Sequence, residues 1–229
     1  MENLYERNGL VFWTEREIKI RRMLEDYFST NLLLALKKLN PAFSMYQVEA
    51  PILTPRDLIN KGYTEEDVYS VGSDLVLRPE TTMGSYAYAK HILSGYHEIK
   101  QRMPVVVWQH GLSFRKEQDQ PTKFMRLKQF YQLEFQILFS PTTANDYVSA
   151  LLPALKGMME DMLGFCRFEL SDRLPDYSEE TTDIIHEASD MEVCSISRRK
   201  DYEGAKVIEV AIGTDRCVYH FLHKNISYE

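Results

Sequence analysis

The chain has 229 residues, 44% of them hydrophobic, with a formal net charge of −7. That length supports one well-buried core, and an acidic balance excludes a uniformly basic surface for bulk nucleic-acid binding, so a nucleic-acid partner has to be held by a local patch. No run of about 18 apolar residues is present to span a bilayer, and the polar, acidic start is unlike a secretory leader. Cys166, Cys194 and Cys217 are an odd number without CxxC spacing, and the six histidines do not pair with them as zinc ligands would. A reduced, cytoplasmic protein without membrane attachment or structural zinc is expected.

Thr14-Glu15-Arg16-Glu17 fits a capping box, and Ile20, Met23, Leu24, Tyr27 and Phe28 recur at helical spacing behind it, so a helix is expected to about Leu39, ahead of Pro41. Tyr46 to Pro51 alternates like an edge strand, and a short helix through Leu58 follows. Val68–Val71 and Leu75–Leu77 flank Gly72-Ser73-Asp74 as a hairpin, and Glu80 to His91 has helical character. Strands are expected at Val105–Trp108, Gly111–Glu117 and Phe124–Phe139, with a ten-residue loop between Arg115 and Arg126. Tyr147–Met162 is expected to be helical, Phe165–Leu170, Met191–Ser197 and Val207–Ile212 to be strands, and Thr214–His223 a final helix. Hairpin-connected strands mixed with helices, without regular alternation, indicate an α+β fold on a largely antiparallel sheet.

Phe114 to Gln136, FRKEQDQPTKFMRLKQFYQLEFQ, carries arginines and glutamates where strands should be apolar. Arg115 and Glu117 lie two apart, and Phe130 and Glu134 share a parity on the next strand, so one face of the hairpin is polar. A solvated face with cross-strand ion pairs is the ordinary explanation of such a pattern. FRKE, a loop, then Arg126 and FYQLE also resemble motif 2 of the class II aminoacyl-tRNA synthetases. YQVEAPILTP, with Pro51, resembles motif 1, and IEVAIGTDR, with Arg216, resembles motif 3; the three occur in the family's order. Within that class the likeness is to the dimeric glycyl-tRNA synthetases: LRPETTMG resembles that branch's LRPETAQG, PDYSEETTDI its HYA-containing stretch, and EVCSISRRKDY its E-x-x-G-I-A-x-R-x-D-Y block. It runs from about Gly9 to His220.

The resemblance implies one catalytic-core domain over 1–229, an antiparallel sheet flanked by helices, no anticodon-binding domain, and a homodimer formed through motif 1. It implies ATP-dependent activation of an amino acid, with Mg2+ on the phosphates and transfer to a tRNA acceptor end that Lys123 and Phe124 are placed to touch. Phosphoryl charge calls for guanidinium forks, which stay protonated and reach two oxygens. By resemblance Arg115 holds the α-phosphate and the attacking carboxylate, Arg126 the terminal phosphates, and Arg216 faces the adenine opposite Phe130 while Glu117 accepts from its amino group. Glu80, Glu192 and Glu209 supply the acids for the substrate ammonium, Arg199 places its carboxylate, and Glu209 is alternatively a magnesium ligand. Taken singly, Glu80 also reads as a first-turn helix glutamate and Arg199 as part of a solvated Arg198-Arg199-Lys200 loop.

The family's serine is replaced by Ala211, and its glycine and alanine by Ser195 and Ser197. Glycine is the favoured substrate; alanine, serine, threonine and proline stay open. A catalytically silent paralogue serving as a binding or dimerisation module, and a ligase with a non-tRNA acceptor, are the competing functions.

Overall fold

A computed structural model describes residues 5–94, 103–116, 125–143, 146–172 and 174–226. Strands β1 (Tyr5–Arg7) and β2 (Leu10–Phe12) form a hairpin ahead of helix α1 (Glu15–Leu39). Then come β3 (Ser44–Gln47), β4 (Leu53–Pro55), a 3-10 turn at Arg56–Leu58, β5 (Tyr69–Val71), β6 (Leu75–Leu77) and α2 (Thr82–Ser94). The second half holds β7 (Val105–Phe114), β8 (Gln129–Phe139), α3 (Tyr147–Leu163), β9 (Cys166–Leu170), β10 (Ser178–His186), β11 (Met191–Arg199), β12 (Lys206–Gly213) and α4 (Thr214–Ile226). Among the described residues no helix is long and apolar enough to cross a membrane.

The capping box forms. Glu17 carboxylate accepts from the Thr14 backbone N–H at 2.9 Å, and Asn40 closes the helix on the Leu36 carbonyl just before Pro41. Leu24, Phe28, Leu32 and Leu36, four apart, make one fully buried stripe on α1.

Seven strands lie in the order β3-β7-β8-β12-β11-β10-β9, antiparallel except for the β3–β7 pair. Period-two alternation divides the sheet's faces. Trp108, Leu133, Phe135, Ile137, Val210, Ile212, Ile196 and Ile184 point to the layer of α1, α3 and α4, which holds the main core. The opposite face carries two rows in register. One runs Gln109, Glu134, Ala211, Ser195, Asp183, Glu169, and the next runs Val107, Gln136, Glu209, Ser197, Thr181. Helix α2 covers one end of that polar face, packing Tyr86 and Ala89 against Val105, Val107 and Leu138.

Several expected elements shift. The strands expected at Val105–Trp108 and Gly111–Glu117 join into one, β7, which ends at Phe114; Gln109-His110-Gly111 looked like a break because two polar residues and a glycine interrupt the apolar run. The strand expected over Tyr46–Pro51 lies earlier, at Ser44–Gln47, although its edge position holds. Strand β10 was not anticipated, since SEETTDIIH mixes acids into a β-branched run; pairing on both sides by β9 and β11 overrides that composition. The β1–β2 hairpin turns on Asn8-Gly9, with φ of 56° and 81°, a signal readable in sequence but not taken up above. The strand expected at Phe124–Phe139 begins later, at Gln129, because Met125–Lys128 are not strand; Glu117, Lys123 and Phe124 lie outside the described residues.

Gly111 has a packing reason. The buried Arg78 guanidinium lies over it, donating to the carbonyls of Leu112 and Ala50 at 2.7 Å each, and a Cβ on residue 111 would run into Arg78 Nη2. These bonds pin the segment before α2 onto β7. Gly111→Ala is expected to displace Arg78 and cost about 1–3 kcal/mol of stability, as overpacking does. Urea unfolding followed by circular dichroism checks this, and an unchanged midpoint contradicts the packing role.

Candidate active site

The polar face opens into a cavity of about 370 Å3. Glu80, Arg115, Arg126, Phe130, Glu192, Glu209, Ala211 and Arg216 all line it, together with Glu134, Tyr177, Asp183, Ser195, Ser197 and Asp215. Eight of the ten expected site residues therefore share one hollow, although they come from five separate parts of the chain. Of the other two, Glu117 lies outside the described residues, and Arg199, on the same face of β11 as Ser195 and Ser197, does not line the cavity.

Register explains the convergence. Glu209 and Ala211 project from β12, Ser195 and Ser197 from β11, and Glu134 and Phe130 from β8, all with one parity. Arg115 follows the last residue of β7; its Nε donates to the Pro79 carbonyl at 3.2 Å and its Nη2 to the Tyr63 hydroxyl at 3.2 Å. The guanidinium carbon lies 5.4 Å from the centre of the Phe130 ring, within cation–π range. On the far wall Arg216, in the first turn of α4, donates to the Glu192 carbonyl at 2.8 Å and faces its carboxylate at 3.4 Å.

Beside the cavity, the Arg199 side chain is wholly removed from solvent. It grips Asp201 through Nε at 3.0 Å and Nη2 at 2.6 Å, Glu209 through Nη1 at 2.8 Å, and Glu80 through Nη2 at 3.4 Å, while stacking 4.0 Å from the Tyr177 ring centre. A solvated basic loop is thereby excluded. The expectation that Arg199 receives a substrate carboxylate meets a guanidinium already committed to three protein carboxylates. Burial opposes its charge, but Glu209 and Glu80 outweigh that and hold its pKa above the ordinary arginine value.

Glu80 lies ahead of α2 rather than in its first turn, only 3% exposed, and accepts from the Tyr63 hydroxyl at 3.0 Å. Burial raises its pKa, with Arg199 opposing and Glu209 adding to the shift. Glu209 takes three donors on Oε2: Thr82 Oγ1 at 2.7 Å, Gln136 Nε2 at 2.5 Å and Arg199 Nη1 at 2.8 Å. Glu134 accepts from the Thr81 N–H at 3.1 Å and from the Thr81 hydroxyl, with the Thr82 hydroxyl, which donates to Glu209, 3.3 Å away; burial, then Glu209 and Glu80, push its pKa up to about 8. Burial likewise pushes Asp183 and Asp215 up to about 7.

Among the described residues no group of three His, Cys, Asp or Glu side chains is arranged to hold a metal ion. On Glu209 all three donors meet Oε2, so a divalent cation on that oxygen would face a guanidinium.

The sequence reading left out the residues that support the first ring of groups. Thr81, Thr82, Gln136, Asp201 and Tyr63 hold the carboxylates and Arg115 in place. All but Tyr63 lie in or beside strings quoted above, yet spacing along a chain does not disclose which of them meet. Gln132 Oε1 and Asp215 Oδ1 are buried in the cavity wall with no hydrogen-bond partner among the described residues.

The same fold occurs in a solved prolyl-tRNA synthetase from Cryptosporidium parvum, complexed with halofuginone and AMPPNP, with a TM-score of 0.75 over 95% of this chain and 48% of that one at 13% identity. The chain has the class II aminoacyl-tRNA synthetase catalytic-core fold. No family model matches the sequence. Glycine–tRNA ligases align with this catalytic core: that of Mycoplasma capricolum is 26% identical over 167 residues, covering 70% of this chain, and that of Geobacillus kaustophilus 26% identical over 213 residues, covering 85%. The core spans 34% of the first relative's length and 44% of the second's.

Protonation of Glu134 gives a measurable consequence. A carboxyl whose folded pKa exceeds its unfolded value keeps its proton in the native state while the unfolded chain loses it, so this group's contribution falls as pH rises from about 4.5 to about 8. Glu134→Gln should remove that decline and raise the melting temperature more at pH 8 than at pH 5. Equal shifts at both pH values, by differential scanning calorimetry, would show that Glu134 is not held protonated.

Proposed function

We propose that the chain activates an amino acid with ATP, glycine being the favoured substrate, and passes the activated acyl group to a tRNA acceptor end. The observation that carries this reading is the pairing, across one cavity, of two guanidinium groups, Arg115 and Arg216, with a floor of buried carboxylates at Glu80 and Glu209. Phosphates and a carboxylate suit the first set; an ammonium suits the second.

In this reading the substrate carboxylate attacks the α-phosphorus, an acyl–phosphate bond forms and pyrophosphate leaves. Arg115 neutralises charge gathering on the α-phosphoryl oxygens and orients the carboxylate, a donor fixed in advance by Pro79 and Tyr63. Arg126 takes the terminal phosphates, and Arg216 and Phe130 flank the adenine. The open acceptors of Gln132 and Asp215 suit its exocyclic amine, a part assigned from sequence to Glu117. Magnesium enters as part of the nucleotide substrate, on its phosphates.

Glu80 and Glu209 receive the ammonium, Glu192 holds Arg216, and Arg199 is a positioning residue that keeps both acids aimed upward. Ala211 sets the ceiling on side-chain size. One methylene is worth only about 1–3 kcal/mol of discrimination, which favours small substrates without rejecting alanine strongly. The proposal includes a cytoplasmic homodimer formed through the α1–β3 side. It is supported by the alignment to glycine–tRNA ligases, proteins more than twice as long as this chain.

ATP–pyrophosphate exchange with glycine, alanine, serine, threonine and proline tests the reading. Glycine is expected to support the fastest exchange, and Arg115→Ala to reduce it by about 100-fold or more. Exchange with none of the amino acids ends the activation proposal, and acylation of protein in place of tRNA redirects the acceptor.

A further inference from the structure

The sheet has two ends, and β9 is the one farthest from β3. An edge strand presents a row of unpaired backbone groups, and solitary edges are kept short or charged, or are interrupted by proline or a bulge. Strand β9 is short and carries Arg167 and Glu169, but one charge of each sign, and it has no proline, lysine or bulge. Its sequence is CRFEL, and its five residues pair with β10 in unbroken register from Cys166↔His186 to Leu170↔Thr182. No described strand pairs with its outer side.

Apolar surface gathers along this edge: Phe165 is 80% exposed, Phe168 43% and Leu170 65%. Charge gathers with it in a self-complementary order. Arg167 and Glu169 flank Phe168 and point to the opposite face of the sheet from it. Rotating a copy of the strand by a half-turn about Phe168 sets Arg167 against the copy's Glu169, Glu169 against its Arg167, Cys166 against its Leu170, and the two Phe168 rings against each other. Opposite charges directly across an antiparallel pair are favourable and like charges unfavourable.

We propose that β9 is a docking edge for a second copy of this chain, joined antiparallel β9 to β9 on a twofold axis through Phe168. The self-complementarity is what an isologous contact requires, and the shared sheet keeps both candidate active sites on the same face. Five residues a side make a small contact, so association is concentration-dependent.

Two measurements on the full chain test it. Directly opposed residues in an antiparallel pair have Cα atoms roughly 4.5–5.5 Å apart, within disulfide range. Phe168→Cys is therefore expected to form a covalent dimer under mild oxidation on a non-reducing gel. The native cysteines are buried, and native protein treated alike is the control. Arg167→Glu and Glu169→Arg each place like charges across the axis, so each alone should sediment as a smaller species than native protein, and an equimolar mixture should regain the native mass because the two edges then complement each other. Sedimentation at several concentrations reads this independently of any contact through the β3 side. Natively folded Phe168→Cys that stays a single chain, or a mixture no heavier than its components, overturns the proposal.

Discussion

A guanidinium taken out of water between Asp201, Glu209 and Glu80 is the constraint on which the candidate site depends. Desolvating an ion costs several kcal/mol, and that cost is met only when close, well-aligned partners remain at hand. Arg199 has them, at 2.6, 2.8 and 3.4 Å. Its hold fixes Glu209 on β12 against Glu80 ahead of α2, so the loop that carries Glu80 and the strand that carries Glu209 are positioned by one side chain. Asp201 is held in turn by Tyr86 of α2 at 3.1 Å and by Asn60 at 2.7 Å.

That cluster is deliberately unbalanced in charge. Glu80, Glu209 and Asp201 meet Arg199, Glu134 interacts with Glu209 and Glu80, and Arg115 and Arg78 are the other cations nearby. Burial first, and the neighbouring carboxylates after it, raise the pKa of both Glu80 and Glu134. A site in this condition gains most from a ligand that brings a positive group to the floor and negative groups to the arginines above. An amino acid lying beside a nucleotide triphosphate has that distribution. The same electrostatics make Oε2 of Glu209 a poor seat for a metal ion, because that oxygen already meets a guanidinium and two neutral donors.

The sheet supplies the second condition, a surface both rigid and polar. Helices α1, α3 and α4 bury one face so completely that the other is free to carry Gln, Glu, Ser, Thr and Asp in two registered rows. Ala211 and Ser195, adjacent in one row between Glu134 and Asp183, leave the hollow; larger residues there would fill it. Gly111 and Arg78 act at the margin, letting the segment before α2 lie close against β7 so that Glu80, Thr81 and Thr82 reach over the rows. At the outer end β9 continues the same lattice into solvent, and its alternating chemistry is a consequence of being the last strand of a two-faced sheet.

Much of this could be read along the chain. The capping box of α1, the Gly72 hairpin, the ends of α3 and β12, and the ordered strings around Arg115, Glu80, Arg199 and Arg216 are local patterns, set by periodicity, caps and turn residues within a few positions. The α+β class and the antiparallel sheet followed from them, while the eight residues now found around one cavity came from the resemblance to the class II synthetase motifs. Three-dimensional packing alone decided what those residues touch. Strand β10 exists because it is paired on both sides, against the acid content of its own sequence, and β7 runs unbroken through a glycine because Arg78 needs the space above it. Arg199 stands in a basic run that looks solvated, yet its partner Glu80 lies 119 positions away. Burial of a charge is a property of the partners brought to it, and those partners are chosen by the sheet's register rather than by spacing in the chain.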